Sequence, residues 1–117
     1  MNKKLAGRWG EAQTAAWLRD RGWEILGANY RTRFGEVDLI ASDGKFIAFV
    51  EVKLRKSAAF ASAAEAVDRR KQARIRTCAE LYLSVNDCSL QPRFDVAELY
   101  GEGPGTPCTI RYIEDAF

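Results

Sequence analysis

GEVDLIASDGKFIAFVEVKLR, residues 35–55, is the stretch from which the rest of the chain is read. Its second half, IAFVEVKLR (47–55), is apolar enough for a buried strand, yet Glu51 and Lys53 interrupt it. Asp43-Gly44 separates two β-prone runs, GEVDLIA (35–41) and KFIAFVEVKL (45–54), and Asp-Gly is a strong hairpin signal. A two-residue turn there pairs Ser42 with Lys45, Ile40 with Ile47, Asp38 with Phe49 and Glu36 with Glu51. Side chains alternate along a strand, so this register puts Asp38, Glu51 and Lys53 on one side of the sheet. Asp38 and Glu51 become diagonal neighbours with Cβ atoms roughly 7 Å apart. A one-residue slip would send them to opposite faces.

Two carboxylates so placed repel each other unless a cation is shared between them. A divalent ion removes that penalty. Lys53, one pleat beyond Glu51, can then polarise a water or offset charge on a phosphate. Glu-x-Lys on its own is ordinarily just a polar strand face; its combination with GEVD one hairpin arm away gives it weight. Glu36, adjacent to Glu51 in this register, reads equally well as a supporting acid or a solvated edge residue.

Working outward, residues 3–21 favour a helix that stops at Gly22, with Leu5, Trp9, Ala12 and Ala16 as its apolar stripe and Glu11 beside it. EILGANYR (24–31) reads as a strand. Helical character returns from Asp68, a natural N-cap, to about Ser84, with Ile75, Cys78, Ala79 and Tyr82 facing inward. AAFASAAEAV (58–67) reads as a loop or as an extra helical turn. RFDVAELY (93–100) and CTIRYI (108–113) read as late strands around the Gly/Pro-rich GEGPGTP (101–107). The order αβββαβ, with room for one more strand, predicts an α/β fold: a mixed sheet with helices packed on it.

Composition narrows the chemistry. The 117 residues contain no histidine, which removes Ser-His-Asp and Cys-His catalysis and histidine-ligated zinc. Any metal would be held by oxygens, which points to Mg²⁺ or Mn²⁺. Cys78, Cys88 and Cys108 are odd in number and form no CxxC, so neither a disulfide framework nor a zinc knuckle is expected. No apolar run reaches membrane-spanning length and no signal peptide is legible, so a soluble, cytoplasmic protein with no membrane partner is expected.

The net charge of +2 conceals an asymmetry, since residues 94–117 hold Asp95, Glu98, Glu102, Glu114 and Asp115 against Arg111. The basic excess lies earlier, most densely in DRRKQARIR (68–76). Arg69, Arg70, Lys71, Arg74 and Arg76 can meet a polyanion or merely solvate a helix face; Arg31, Arg33 and Arg55 lie nearer the acids and are better placed for phosphate. Trp9 suits core or subunit packing, and Trp17, on the opposite helix face, an interface.

RFGEVDLI, FVEVKLR and AAEAVDRRKQARI, preceded by GRWGEAQTAAWLRDRGW and followed by IEDAF, together resemble the YraN family of uncharacterised bacterial proteins over nearly the whole chain. That family is similar in turn to the PD-(D/E)XK, restriction-endonuclease-like nucleases, with archaeal Holliday-junction resolvases as analogues. The resemblance implies a single nuclease-like domain over 1–117 that uses Mg²⁺ or Mn²⁺ to cut DNA. It makes Glu11 the helical acid, Asp38 and Glu51 the metal-binding acids, Lys53 the motif lysine and the Val52 carbonyl a further ligand. Gln72 matches a polar position that orients water, lysine or phosphate. Val37 stands where the motif name implies proline, as in the resolvase-type GxxD variant, and Asp115 replaces the family's usual Asn. The resolvase analogues add branched DNA and a homodimer. The alternative is a non-catalytic nucleic-acid-binding or partner-recruiting module on the same scaffold.

Overall fold

The computed structural model describes residues 3–55 and 67–117. In chain order the elements are α1 (Lys3–Asp20), β1 (Glu24–Thr32), β2 (Gly35–Ser42), β3 (Phe46–Arg55), α2 (Arg69–Val85), β4 (Gln91–Tyr100) and β5 (Thr109–Ile113). The five strands lie side by side in sequence order, and only β3 and β4 run parallel. That parallel pair needs a crossover, and α2 lies within it. Ile47 to Val50 of β3 are wholly buried because both faces of the sheet are covered. On one face Ile75, Cys78 and Ala79 of α2 pack against Ile40, Ile47, Phe49 and Val96. On the other, Ala15 of α1 packs with Leu39, Ala48, Val50, Ala97 and Leu99. No helix among the described residues is long and apolar enough to cross a membrane.

Asp68 caps α2, its carboxylate accepting the Lys71 N–H at 2.8 Å. The expected loop or helical turn at 58–67 lies outside the described residues except for Val67, which is buried.

Three expectations change. The buried face of α1 comprises Gly10, Thr14, Ala15 and Leu18, whereas Leu5, Ala12 and Ala16 are exposed. Gly10 is the reason: a Cβ there would lie 3.0 Å from Leu54 Cδ2 and 3.2 Å from Val52 Cγ1, so the helix seats its glycine on β3. Thr14 joins the buried face by donating its hydroxyl to the Gly10 carbonyl at 2.8 Å. Trp17, expected at an interface, stacks on Tyr112 with ring centroids 4.8 Å apart and carries Arg21 on its ring.

The hairpin register differs too: β2 and β3 pair Ser42 with Ile47 and Ile40 with Phe49. The Asp43 carboxylate accepts the N–H groups of Lys45 and Phe46 at 2.9 and 2.8 Å, which closes a longer turn than Asp-Gly alone would make. Expected and observed pairings differ by two residues, so side-chain alternation is unchanged.

At the far edge, fully buried Asp95 accepts from Arg93, from the Tyr112 hydroxyl at 2.6 Å and from the Asp115 N–H at 2.9 Å. Ala116 N–H donates to the Phe94 carbonyl, and Phe117 stacks on Phe94. The C-terminal residues are thereby fastened to β4.

Candidate functional site

The acids of interest lie where the sheet forks. The β2–β3 ladder ends at Leu39–Val50, although both strands continue. Beyond that point Asp38 Oδ2 accepts the Val52 N–H at 2.8 Å, so a side chain takes the part of a strand carbonyl. On the other side of β2, Ala28–Leu39 and Tyr30–Val37 pair with β1 and bracket Asn29 and Asp38. Leu39 belongs to the α1-side core, whereas Val37, two residues away, belongs to the α2-side core. A regular strand forbids this, so β2 turns over at Asp38. Opposite, Asn29 has φ of 52°, the left-handed conformation that asparagine tolerates better than most residues.

Three further elements present charge to this fork. From α1 comes Glu11, whose Oε2 accepts from Asn29 Nδ2 at 2.7 Å. β3 supplies Glu51, only 5% exposed, and Lys53, whose Nζ lies 3.8 Å from Glu51 Oε1. α2 contributes Lys71, whose ammonium is hydrogen-bonded to the same Glu51 oxygen. Burial, followed by the negative charge of Glu51, pushes the Asp38 carboxyl up to about 7; the Val52 N–H opposes the rise, Glu11 adds to it and Lys71 opposes it. Burial and the charge of Lys71 hold Lys53 below its ordinary value, against the pull of Glu51. Burial also works against the Lys71 ammonium, but its hydrogen bond and charge attraction to Glu51 outweigh this and raise its pKa.

Asp38 and Glu51 are thus close enough to repel, and Glu11 also acts on Asp38 while tethered to Asn29. Among the described residues no group of three or more Asp, Glu or Cys side chains gathers as a ready metal cage. The donors do suit a hard cation: they are oxygens only, and Mg²⁺ is commonly held by one or two carboxylates completed by water and phosphate. A cleft of about 530 Å³ opens onto Asp38 and is lined by Arg8, Glu11, Asn29, Arg31 and Glu36.

The other sequence candidates are distributed around this centre. Gln72 donates its side-chain amide to the Val67 carbonyl at 2.8 Å, bracing the entry to α2. Val52 gives its N–H to Asp38 and is in register with Ala97 of β4. Arg55 is held at 3.1 Å by the carboxylate of Glu98, a side chain only 1% exposed. Arg31 pairs with Glu36 at 3.2 Å, and Arg33 lies over the Phe34 ring at the tip of the β1–β2 hairpin. Arg70 and Arg74 line a second cleft, of about 380 Å³, between that hairpin and α2. Gly35 permits the approach: its φ is 145°, and a Cβ there would meet Arg74 Cβ at 3.3 Å.

Sequence reasoning missed two parts of this arrangement. Asn29 carried a usable signal, since asparagine is depleted in strands and tolerates positive φ. Lys71 was one base among five on a helix, and nothing in its spacing distinguishes the one that reaches Glu51.

The profile of an uncharacterised protein family, UPF0102, matches residues 10–99. A UPF0102 protein of Caldicellulosiruptor bescii is 41% identical over 119 residues, covering 100% of both chains. One from Dictyoglomus thermophilum is 42% identical over 118 residues, again covering 100% of both. One from Nocardia farcinica is 46% identical over 117 residues, covering 99% of this chain and 91% of its own. Among solved structures, Hjc of Archaeoglobus fulgidus, a Holliday junction resolvase, superposes with a TM-score of 0.55 at 18% identity, covering 89% of this chain and 72% of that one. The likeness is one of fold, and the fold is restriction-endonuclease-like, as the motifs implied.

Proposed function

The chain belongs to the uncharacterised protein family UPF0102, which the motifs resembled as YraN, and from its site we propose that it is a metal-dependent endonuclease hydrolysing DNA phosphodiester bonds. One observation carries this reading: at the fork the Asp38 carboxylate accepts the N–H of Val52, the residue after Glu51, and the Glu51 carboxylate lies 3.8 Å from the Lys53 ammonium. Asp38 and Glu51 would hold Mg²⁺ or Mn²⁺, with the Val52 carbonyl as a further ligand and Glu11 on the α1 side. Such an ion supplies Lewis-acid activation of water and charge stabilisation on the phosphate. Lys53, on β3 and with its pKa lowered chiefly by burial, can orient the attacking water and donate to a developing phosphate oxygen. Gln72 acts from behind by holding the start of α2, which carries Lys71.

DNA would lie across the rim formed by Arg31, Arg33, Arg70 and Arg74, with Arg55 further along β3; backbone contacts of this kind position a duplex without reading its sequence. Branched DNA is the substrate class suggested by likeness to Hjc. A cytoplasmic homodimer of one domain per chain would bring two centres to two strands.

The test is incubation of purified protein with supercoiled, linear and four-way-junction DNA, with Mg²⁺ or Mn²⁺, beside Asp38→Asn and Glu51→Gln. Metal-dependent cleavage abolished by both substitutions is expected. Cleavage that persists in both variants would remove the assignment. A second reading is favoured by the lysine on Glu51: a nucleic-acid-binding or partner-recruiting module with no cleavage. It predicts salt-sensitive DNA binding that is indifferent to metal.

A further inference from the structure

Glu51 is nearly inaccessible, yet two ammonium groups converge on one of its oxygens. Lys53 is fixed there by its strand, one pleat along. Lys71 arrives from α2, in its first turn, and its side chain remains 40% exposed. It also lines the cleft that contains Arg70 and Arg74, both of them exposed. The side chain therefore spans two environments: a buried carboxylate at one limit of its reach and a basic rim at the other. A divalent cation and the Lys71 ammonium cannot both take the same oxygen of Glu51 without severe repulsion, because like charges at contact distance in a poorly solvated pocket interact strongly.

We propose that Lys71 is a resident counter-cation for Glu51, displaced when a divalent ion enters, and that the freed ammonium then joins Arg70 and Arg74 in holding a nucleic-acid phosphate. This rests on the metal-centre reading above and adds to it an order of events: metal entry converts one internal ion pair into one external phosphate contact. The cation and the nucleic acid thereby favour each other's binding, as linkage requires of two ligands that prefer the same arrangement. It also explains why a basic helix places one of its charges inward. Before the cation enters, Lys71 supplies the hydrogen-bonded countercharge to a buried acid that Lys53, at 3.8 Å, compensates more weakly.

Mn²⁺ binding to the full chain, measured by the loss of the free-ion electron paramagnetic resonance signal, separates the outcomes. Lys71→Met should bind Mn²⁺ roughly tenfold more tightly than the natural chain, since a competitor is gone. Arg74→Met, which removes a rim charge that does not touch Glu51, should change Mn²⁺ affinity far less. Equal or weaker Mn²⁺ binding by folded Lys71→Met would overturn the exchange while leaving the metal centre standing. Absence of Mn²⁺ binding in both the natural chain and Lys71→Met would overturn the metal centre and the exchange with it. A second measurement needs no variant: acylation of lysines, followed by mass spectrometry, should show Lys71 labelled severalfold faster when Mn²⁺ is added, with exposed Lys45 unchanged. Unaltered Lys71 labelling under Mn²⁺ concentrations that saturate the protein would also overturn the proposal.

Discussion

Asp38→Asn should make the protein more stable and less useful. The Asp38 carboxyl is pushed from 3.8 to about 7 by burial and by Glu51, with Glu11 adding to the effect. Its pKa is raised on folding, so the folded state holds a proton that the unfolded chain releases at lower pH. Stability therefore falls as pH rises from about 4 to about 7, and above that window the ionised carboxylate imposes its full penalty. A span of that size corresponds to roughly 4 kcal/mol at most, and relaxation around a carboxyl that keeps some solvent contact brings the expected gain to about 2–4 kcal/mol. Asparagine retains an acceptor for the Val52 N–H, so the hydrogen bond that shapes the fork is not sacrificed. For a domain of this size the melting temperature at pH 8 in chelator should rise by about 10 °C. Thermal or urea unfolding followed across pH 4.5–8 checks this, and the advantage of Asp38→Asn should shrink steadily towards the acid end. Adding Mg²⁺ should stabilise the natural chain more than the variant, because a cation relieves the same repulsion and binds only the folded state. A variant less stable than the natural chain at pH 8 in chelator, or a difference independent of pH, would refute the reasoning.

Asn29→Gly should keep the left-handed turn of β1 and lose only the tether on Glu11, whereas Asn29→Ala loses both; urea unfolding should rank glycine above alanine by about 1 kcal/mol. Gly10→Val should push α1 away from Leu54 and Val52 and cost about 1–3 kcal/mol, with the movement of Glu11 visible in amide chemical shifts around Asn29. Asp95→Ala strands Arg93 and the Tyr112 hydroxyl in the interior; a loss of about 3–5 kcal/mol, read from urea midpoints, is expected although the site is untouched.

How far the sequence could be read follows from which rules its residues obey. The strands obey alternation, so their existence and order were legible, and α2 announced itself through Asp68 and its inward stripe. The turn was misread because Asp43 uses its side chain, not only its backbone, and the consequence was a slip of two residues. That error was harmless for a physical reason: an even slip keeps every side chain on its face. The face of α1 was misread because helical periodicity assumes that large apolar residues point inward, whereas here the absence of a side chain at Gly10 sets the close contact. Closest to the acids, alternation itself fails. Asn29 adopts positive φ, β2 turns over at Asp38, and the Asp38 carboxylate takes the hydrogen bond that a strand would have made. A pattern of period two identifies which residues should lie near one another but cannot represent a strand that breaks its own period. Local rules that agree elsewhere and conflict at one place mark that place as a candidate functional site. At this fork that conflict has a definite form: an unpaired stretch of ladder, two acids held against their repulsion, and a lysine from the opposite helix compensating one of them.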